Sequence, residues 1–346
     1  MAFSAHAELV AAVVRAGGLG LIGVGYNTKF DFISSQLDQA IILSGTGSSA
    51  GALGVGFITW KLVEADPDGS LIIEPLLERR EIRALWFSFG DFKRYLPKIR
   101  KKRRDIVILS QVQTVAEAVE HLKEGGGWEV DVVVAQGSEA GGHGARASNS
   151  TFCLVPQLSA TLSTLGFPSR LQSKRPCLLA AGGITTPSQL AAALLMGAHG
   201  VVLGTVLSAT EESALRDEAK QRLLSVQDGG LETVRTEVFD RMRGFPWPET
   251  YNGRVLRNLI TKDVDAARAA GRDGERELEA WSRQYTKEVE KGNFNVGVVF
   301  AGGGAGMLGR TVRSAEDVVR DLVGGAVQVL QGAGTWGAEK STIAKI

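Results

Sequence analysis

Cysteine, histidine, methionine and net charge are all scarce in this chain. Its 346 residues include two cysteines, four histidines and four methionines, and its formal charge is +1. Cys153 and Cys177 form no CxxC pair, which speaks against a structural zinc site and against a disulfide framework. No apolar run reaches the roughly 18 residues that a membrane span needs. No basic-then-apolar segment opens the chain. A soluble, cytoplasmic protein is therefore expected, or a peroxisomal one through Ala344-Lys345-Ile346, a loosened form of the C-terminal Ser-Lys-Leu address. The near-neutral charge gives no electrostatic case for nucleic acid. The densest basic run, Lys98 to Arg104, reads as a solvated helix end. There is no GxGxxG after a first strand and no GxxxxGK[ST], so neither a Rossmann domain nor a P-loop is indicated.

What is present is a regular alternation. Short apolar runs alternate with longer amphipathic ones, the pattern of βα units around a parallel sheet. Strands are expected at Leu19–Val24, Leu53–Ile58, Ala84–Phe89, Asp105–Ser110, Val130–Ala135, Pro176–Ala181 and Gly200–Leu203. Helices are expected at Ala7–Ala16, Phe30–Leu43, Glu74–Arg80, Phe92–Lys102, Val115–Glu124, Val155–Leu165 and Pro187–Met196. The fold class is α/β, a TIM-type (β/α)8 barrel. Such a barrel needs eight strands and only seven are visible. Because a helix is the first element seen, the expectation is that the first strand is missing upstream of Met1.

Past Gly204-Thr205 the chain becomes charged and helix-prone, over Glu211–Leu224, Leu231–Arg241 and Val264–Lys291, with a turn at Gly244-Phe245-Pro246-Trp247-Pro248. Residues 1–207 and 293–346 are thus assigned to the barrel, and 208–292 to a helical insertion on the substrate side. Trp247 and Tyr251 could form a lid, but are expected to fill the insertion's own small core.

Two kinds of loop carry chemistry. Ala135-Gln136-Gly137-Ser138-Glu139-Ala140-Gly141-Gly142-His143-Gly144 follows a buried strand and is too glycine-rich to be helix or strand. A loop there, holding one imidazole, is where an α/β enzyme places catalytic groups. Glu139 is expected to cap a turn, and Ser138 to touch a ligand or fill the loop. His199, His6 and His121 read as structural or surface residues. The second kind offers free N–H groups to a phosphate. Gly182-Gly183 precedes Thr186-Pro187 at a helix start, and Val202-Leu203-Gly204-Thr205 comes one βα unit later. Loops after strands seven and eight of a barrel often share a phosphate site. A monophosphate ligand such as FMN fits better than a dinucleotide. The Gly302–Gly306 run could border the cavity.

These residues resemble the nitronate monooxygenases, formerly called 2-nitropropane dioxygenases. The resemblance lies in AQGSEAGGHG (135–144), AAGGI (180–184), GAHGVVLGT (197–205) and GGLGLIGVG (17–25), and spans nearly the whole chain. It implies noncovalent FMN, with Gln136 and Gly141 beside the flavin. Gly182, Gly183, Val202, Leu203, Gly204 and Thr205 would hold its phosphate end, and Met1 would border its pocket. No metal is implied. Met1-Ala2-Phe3-Ser4 looks like the end of the family's opening strand motif. Many relatives carry asparagine where this chain has Gly54-Val55-Gly56-Phe57. His143 would be the catalytic residue, as base toward a nitroalkane or as anion-binding group toward a nitronate. Substrate and O2 would yield a carbonyl compound and nitrite. The alternative is an NAD(P)H-dependent FMN barrel reductase acting on quinones or enoyl thioesters. Oligomeric state is left open.

Overall fold

A computed structural model describes residues 4–45, 52–122, 129–165, 175–272 and 274–336. Ten strands follow in chain order: β1 (Gly20–Gly25), β2 (Leu53–Ile58), β3 (Ile82–Ser88), β4 (Val107–Val112), β5 (Val132–Gln136), β6 (Gly142–Ala145), β7 (Cys177–Ala181), β8 (Gly200–Val202), β9 (Thr233–Thr236) and β10 (Tyr251–Leu256). Seven form one sheet in the order β1-β2-β3-β4-β5-β7-β8, with every pair parallel. These are the seven strands expected from the alternating apolar and amphipathic runs, in chain order, each followed by helix except β5, after which β6 comes before the next helix.

Side chains alternate across each strand. One face is packed under the helices, with Ile22, Val55, Leu85, Phe87, Ile108 and Leu178 in the main core. The other faces the barrel lumen, where Leu21, Ala84, Trp86, Leu109, Val134, Ala181 and Val202 meet. β1 and β8 are not paired with each other. Ser4 and Ala5 lie between β1 and the segment that follows β8. Gly23 on β1 donates its N–H to the Ala5 carbonyl at 2.9 Å, and Ala214 donates to the Ser4 carbonyl at 3.2 Å. The hydroxyls of Ser4 and Ser208 are 3.5 Å apart. Outside this seam the helix Ala315–Trp336 packs on both Pro187–Leu195 and Ala7–Arg15, and Arg15 pairs with Glu316 at 3.0 Å.

The segment 208–292 is not wholly helical. The expected helix over Leu231–Arg241 is interrupted by β9, where Thr233-Val234-Arg235-Thr236 pairs with β10. β-Branched residues suit a pleated, half-buried surface better than a helix. The expected helix over Val264–Lys291 is two, Leu259–Ala269 and Glu275–Glu290, separated at Gly271 with φ +65°. Phe239, Val255, Ile260, Val264 and Trp281 form the core of this unit.

The basic run is also less solvated than its composition suggests. Arg103 is buried and donates to the carbonyls of Leu77, Arg79 and Ile82 and to Asp105. Arg100 donates to the Ile106 carbonyl and to Asp131, both at 2.6 Å. Among the described residues no helix is long and apolar enough to cross a membrane.

Candidate active site

The C-terminal ends of the strands carry the chemistry. β5 ends at Gln136, and the chain turns tightly through Gly137. A Cβ there would sit 2.1 Å from Thr151 Oγ1 and 2.2 Å from Thr151 N, so only glycine fits. The Glu139 carboxylate accepts from Thr151 N at 2.8 Å and from Thr151 Oγ1 at 3.1 Å. It therefore pins the loop to the start of the helix Thr151–Thr164, the turn-capping role expected of it. The Ser138 carbonyl accepts from Arg254 Nε at 3.1 Å.

The remainder of the motif is not a loop. Gly142–Ala145 is strand β6, antiparallel to β10, with His143 opposite Gly253. Three of its neighbours in the motif are glycine, and tertiary pairing overrides their poor strand propensity. Gly253 has no side chain, and this leaves room over it for two rings. A Cβ at Gly253 would lie 3.0 Å from Phe300 and 3.8 Å from His143 Nε2.

His143 is held from three directions. Its Nε2 lies 2.8 Å from Asp240 Oδ2, and the two side chains are only 11% and 6% exposed. The second Asp240 oxygen accepts from Arg243 at 3.2 Å. The Trp247 indole stacks flat on the imidazole, centroids 3.7 Å apart and planes 5° apart. Gln136 Nε2 donates to the His143 carbonyl at 2.7 Å. Burial pushes the His143 pKa below its usual value, against the hydrogen bond and charge of Asp240, which raise it. In the neutral ring, Nε2–H donates to the carboxylate and Nδ1 keeps the lone pair that can take a proton.

Trp247 lies outside the insertion's own core, contrary to expectation. It packs edge-on to Trp60 and Phe89, at 5.5 and 5.1 Å, and its indole N–H donates to the Tyr26 hydroxyl. Tyr251 meets Phe89 at 5.2 Å, and Phe245 stacks on Tyr26 at 4.0 Å. Tyr26, Trp60 and Phe89 follow β1, β2 and β3. The insertion thus lays an aromatic roof over three strand ends and the histidine.

Next to this lie the glycine turns. Gly182 and Gly183 have φ of +113° and +74°, accessible to glycine at little cost. They lead into Pro187–Leu195, whose start is closed by a Thr186–Gln189 capping box. Among the described residues, neither Gly183 nor Gly204 gives its N–H to another backbone carbonyl. A Cβ at Gly204 would meet nothing within 4 Å. Val202 ends β8 beside Ala181 of β7, which brings the two turns together. The 301–304 run braces both. Gly302 N donates to Thr205 Oγ1 at 2.9 Å, and Gly303 N to the Glu139 carbonyl at 2.8 Å. A Cβ on Gly304 would lie 2.7 Å from the Gly183 carbonyl. Gly141 is required by the same run, since a Cβ there would lie 2.6 Å from Ala301. Met1 and Ala344-Lys345-Ile346 lie outside the described residues.

The family model for nitronate monooxygenase matches residues 73–325. This chain belongs to the nitronate monooxygenase family. It is 33% identical over 272 residues to a nitronate monooxygenase of Metarhizium robertsii, covering 75% of this chain and 71% of that protein. It is 26% identical over 342 residues to a nitronate monooxygenase of Neurospora crassa, covering 92% and 85%. Among solved structures it is similar to FabK from Thermotoga maritima, with a TM-score of 0.73 at 21% identity over 97% and 93% of the two chains. It is also similar to nitroalkane oxidase from Streptomyces ansochromogenes, with a TM-score of 0.71 at 22% identity over 96% and 94%. At such identities these two show the shared barrel fold. The family is one of oxidoreductases, and oxidation of nitronates by this enzyme follows from membership.

Sequence reasoning missed several residues of this nitronate monooxygenase site. Asp240 lies in a stretch whose pattern is only charged and helix-prone, and nothing local singles out Arg235, Arg243 or Phe300. Arg235 donates to the Gly144 carbonyl at 2.7 Å and to Asn252. The available signal was Asp240 three residues before Arg243, directly ahead of an aromatic, proline-rich turn. His121, expected at the surface, hydrogen-bonds Ser110 at 2.7 Å. His199 accepts from Leu178 N at 3.1 Å, a structural role as expected.

Proposed function

We propose that this enzyme binds FMN noncovalently and oxidises alkyl nitronates with O2 to carbonyl compounds and nitrite. The observation that carries the reading is the His143–Asp240 pair together with two glycine turns whose Gly183 and Gly204 N–H groups meet no backbone carbonyl among the described residues. The residues fit an FMN. Open space lies over Gly204, and buried donors without partners, among them Gln111 Nε2 and Trp86 Nε1, line the lumen strands below. Gly183 and residues 202–205 would hold the phosphate through backbone N–H groups. Gln136 would border the ring. Bound FMN would supply the redox capacity, and the protein supplies orientation and electrostatics.

His143 has one task for each substrate form. Toward a neutral nitroalkane, Nδ1 takes the α-proton, and the resulting imidazolium lies against the Asp240 carboxylate. Toward a preformed nitronate no proton need move, and the ring only orients the anion. The aromatic roof of Trp60, Phe89 and Trp247 excludes water from that exchange.

Two experiments test this. Purified protein should show flavin absorption, and the bands should change when a nitronate is added anaerobically with no nicotinamide present. Bands indifferent to nitronate but bleached by NADPH would overturn the reading in favour of a reductase. FMN binding without turnover of either donor would point to a noncatalytic flavin binder. His143→Asn should impair use of neutral nitroalkane more than use of nitronate, and equal losses would remove the base assignment.

A further inference from the structure

Among the described residues, two buried N–H donors in the barrel lumen have no partner. Trp86 stands on β3 directly opposite Gly56 of β2 in the sheet register. Its ring packs on the lumen cluster with Ala84, Leu109 and Val134, and its Nε1 is buried without a hydrogen bond. Gly56 leaves space on that side. A Cβ there would be 3.7 Å from the Ile22 carbonyl and 3.9 Å from Trp86 Cβ, ordinary contact distances. Gln111 lies on the neighbouring β4 and is 6% exposed. Its Oε1 accepts from Ser88 Oγ at 3.3 Å, while Nε2 is buried without a partner.

An orphaned buried donor is costly, and native proteins rarely keep one without a ligand, water or functional reason. Here two occur on adjacent strands, above an apolar floor. That arrangement suits a flat ring with an apolar face and hydrogen-bond acceptors on its edge. We propose that the Trp86 indole N–H and the Gln111 carboxamide N–H seat the flavin ring by donating to its acceptor edge. Trp86 provides the polar contact on the wall where Gly56 leaves space. The inference rests on the FMN reading above.

The test is FMN titration of apo-protein, followed by flavin fluorescence, together with thermal melting of the apo-proteins. Trp86→Phe and Gln111→Leu should each weaken FMN binding about fivefold to tenfold. Gln111→Glu, which puts an acceptor against an acceptor edge, should weaken it at least as much and decides the matter should Trp86→Phe fold poorly. The apo melting temperature of Trp86→Phe should match or exceed that of the parent, because its indole N–H has no partner to lose; Gln111→Leu gives up only the 3.3 Å bond from Ser88, and Gln111→Glu keeps an acceptor for that hydroxyl. The reduction potential of bound FMN should fall in each variant, since N–H donors favour the more electron-rich reduced ring. Parent-like FMN affinity in Trp86→Phe and both Gln111 variants would overturn the proposal. So would apo melting points that drop in step with affinity, which would mark both residues as structural. If the parent chain itself binds no FMN, the flavin reading fails first and this one with it.

Discussion

Replacing Asp240 by asparagine should separate the two tasks of His143. The carboxylate oxygen lies 2.8 Å from Nε2 and is nearly buried. A charge-assisted hydrogen bond of this kind is worth about 1.5–3 kcal/mol, or about 10- to 100-fold in rate if it acts in the transition state. The asparagine side chain keeps an acceptor but not the charge. The influences that lower the His143 pKa, burial first and then Arg243 and Arg235, would act with the raising effect of Asp240 removed. The pKa therefore falls further and the imidazole becomes a weaker base. The direction of the pH effect follows. The base works in its neutral form, so activity is present above the pKa and lost as pH falls through it. In Asp240→Asn that loss should shift to lower pH. At pH 7 kcat/KM for a neutral nitroalkane should drop about 10- to 100-fold, while that for the preformed nitronate should change less than about threefold. The assay is a pair of pH–rate profiles, one per substrate form. Equal losses on both forms, or an acid limb that does not move, would refute the reasoning.

Other expectations follow from the packing. Gly137→Ala and Gly204→Ala should behave oppositely. The first drives a Cβ into the Thr151 backbone and should cost about 3 kcal/mol or prevent folding. The second meets no protein atom, so it should change stability by less than about 1 kcal/mol yet weaken FMN binding, as read by melting and by cofactor titration. His121 should make folding acid-sensitive. Burial pushes its pKa from 6.5 to about 4, so the folded state holds it neutral. Its contribution is fully present above about pH 6.5 and is lost as pH falls toward 4, by up to about 3 kcal/mol. Urea unfolding at pH 7 and pH 5 should show this loss in the parent and much less of it in His121→Gln.

Much of the scaffold was written in local pattern. The seven barrel strands are short apolar runs, and most are closed by glycine or capping chemistry that nearest neighbours decide. Thr186-Pro187 after Gly182-Gly183 is legible as a helix start because capping involves residues three apart. His143 and the glycine turns stood out for the same reason, since each lies in a short motif at a strand end. Contacts between distant segments were not legible. Asp240 meets His143 across 97 positions, and Trp247 reaches Tyr26 across 221. Those meetings depend on β6 leaving the barrel loop to pair with β10, and nothing in the glycine-rich sequence of β6 favours a strand. The burial of Arg103 likewise depends on carbonyls of Leu77, Arg79 and Ile82, more than twenty positions away where a helix passes into β3. Local pattern carries the barrel class, the order of its strands and the place of the imidazole. Only the tertiary structure gave that imidazole its carboxylate, its stacked indole and its depressed pKa, because burial and charge at a site are properties of every segment packed around it.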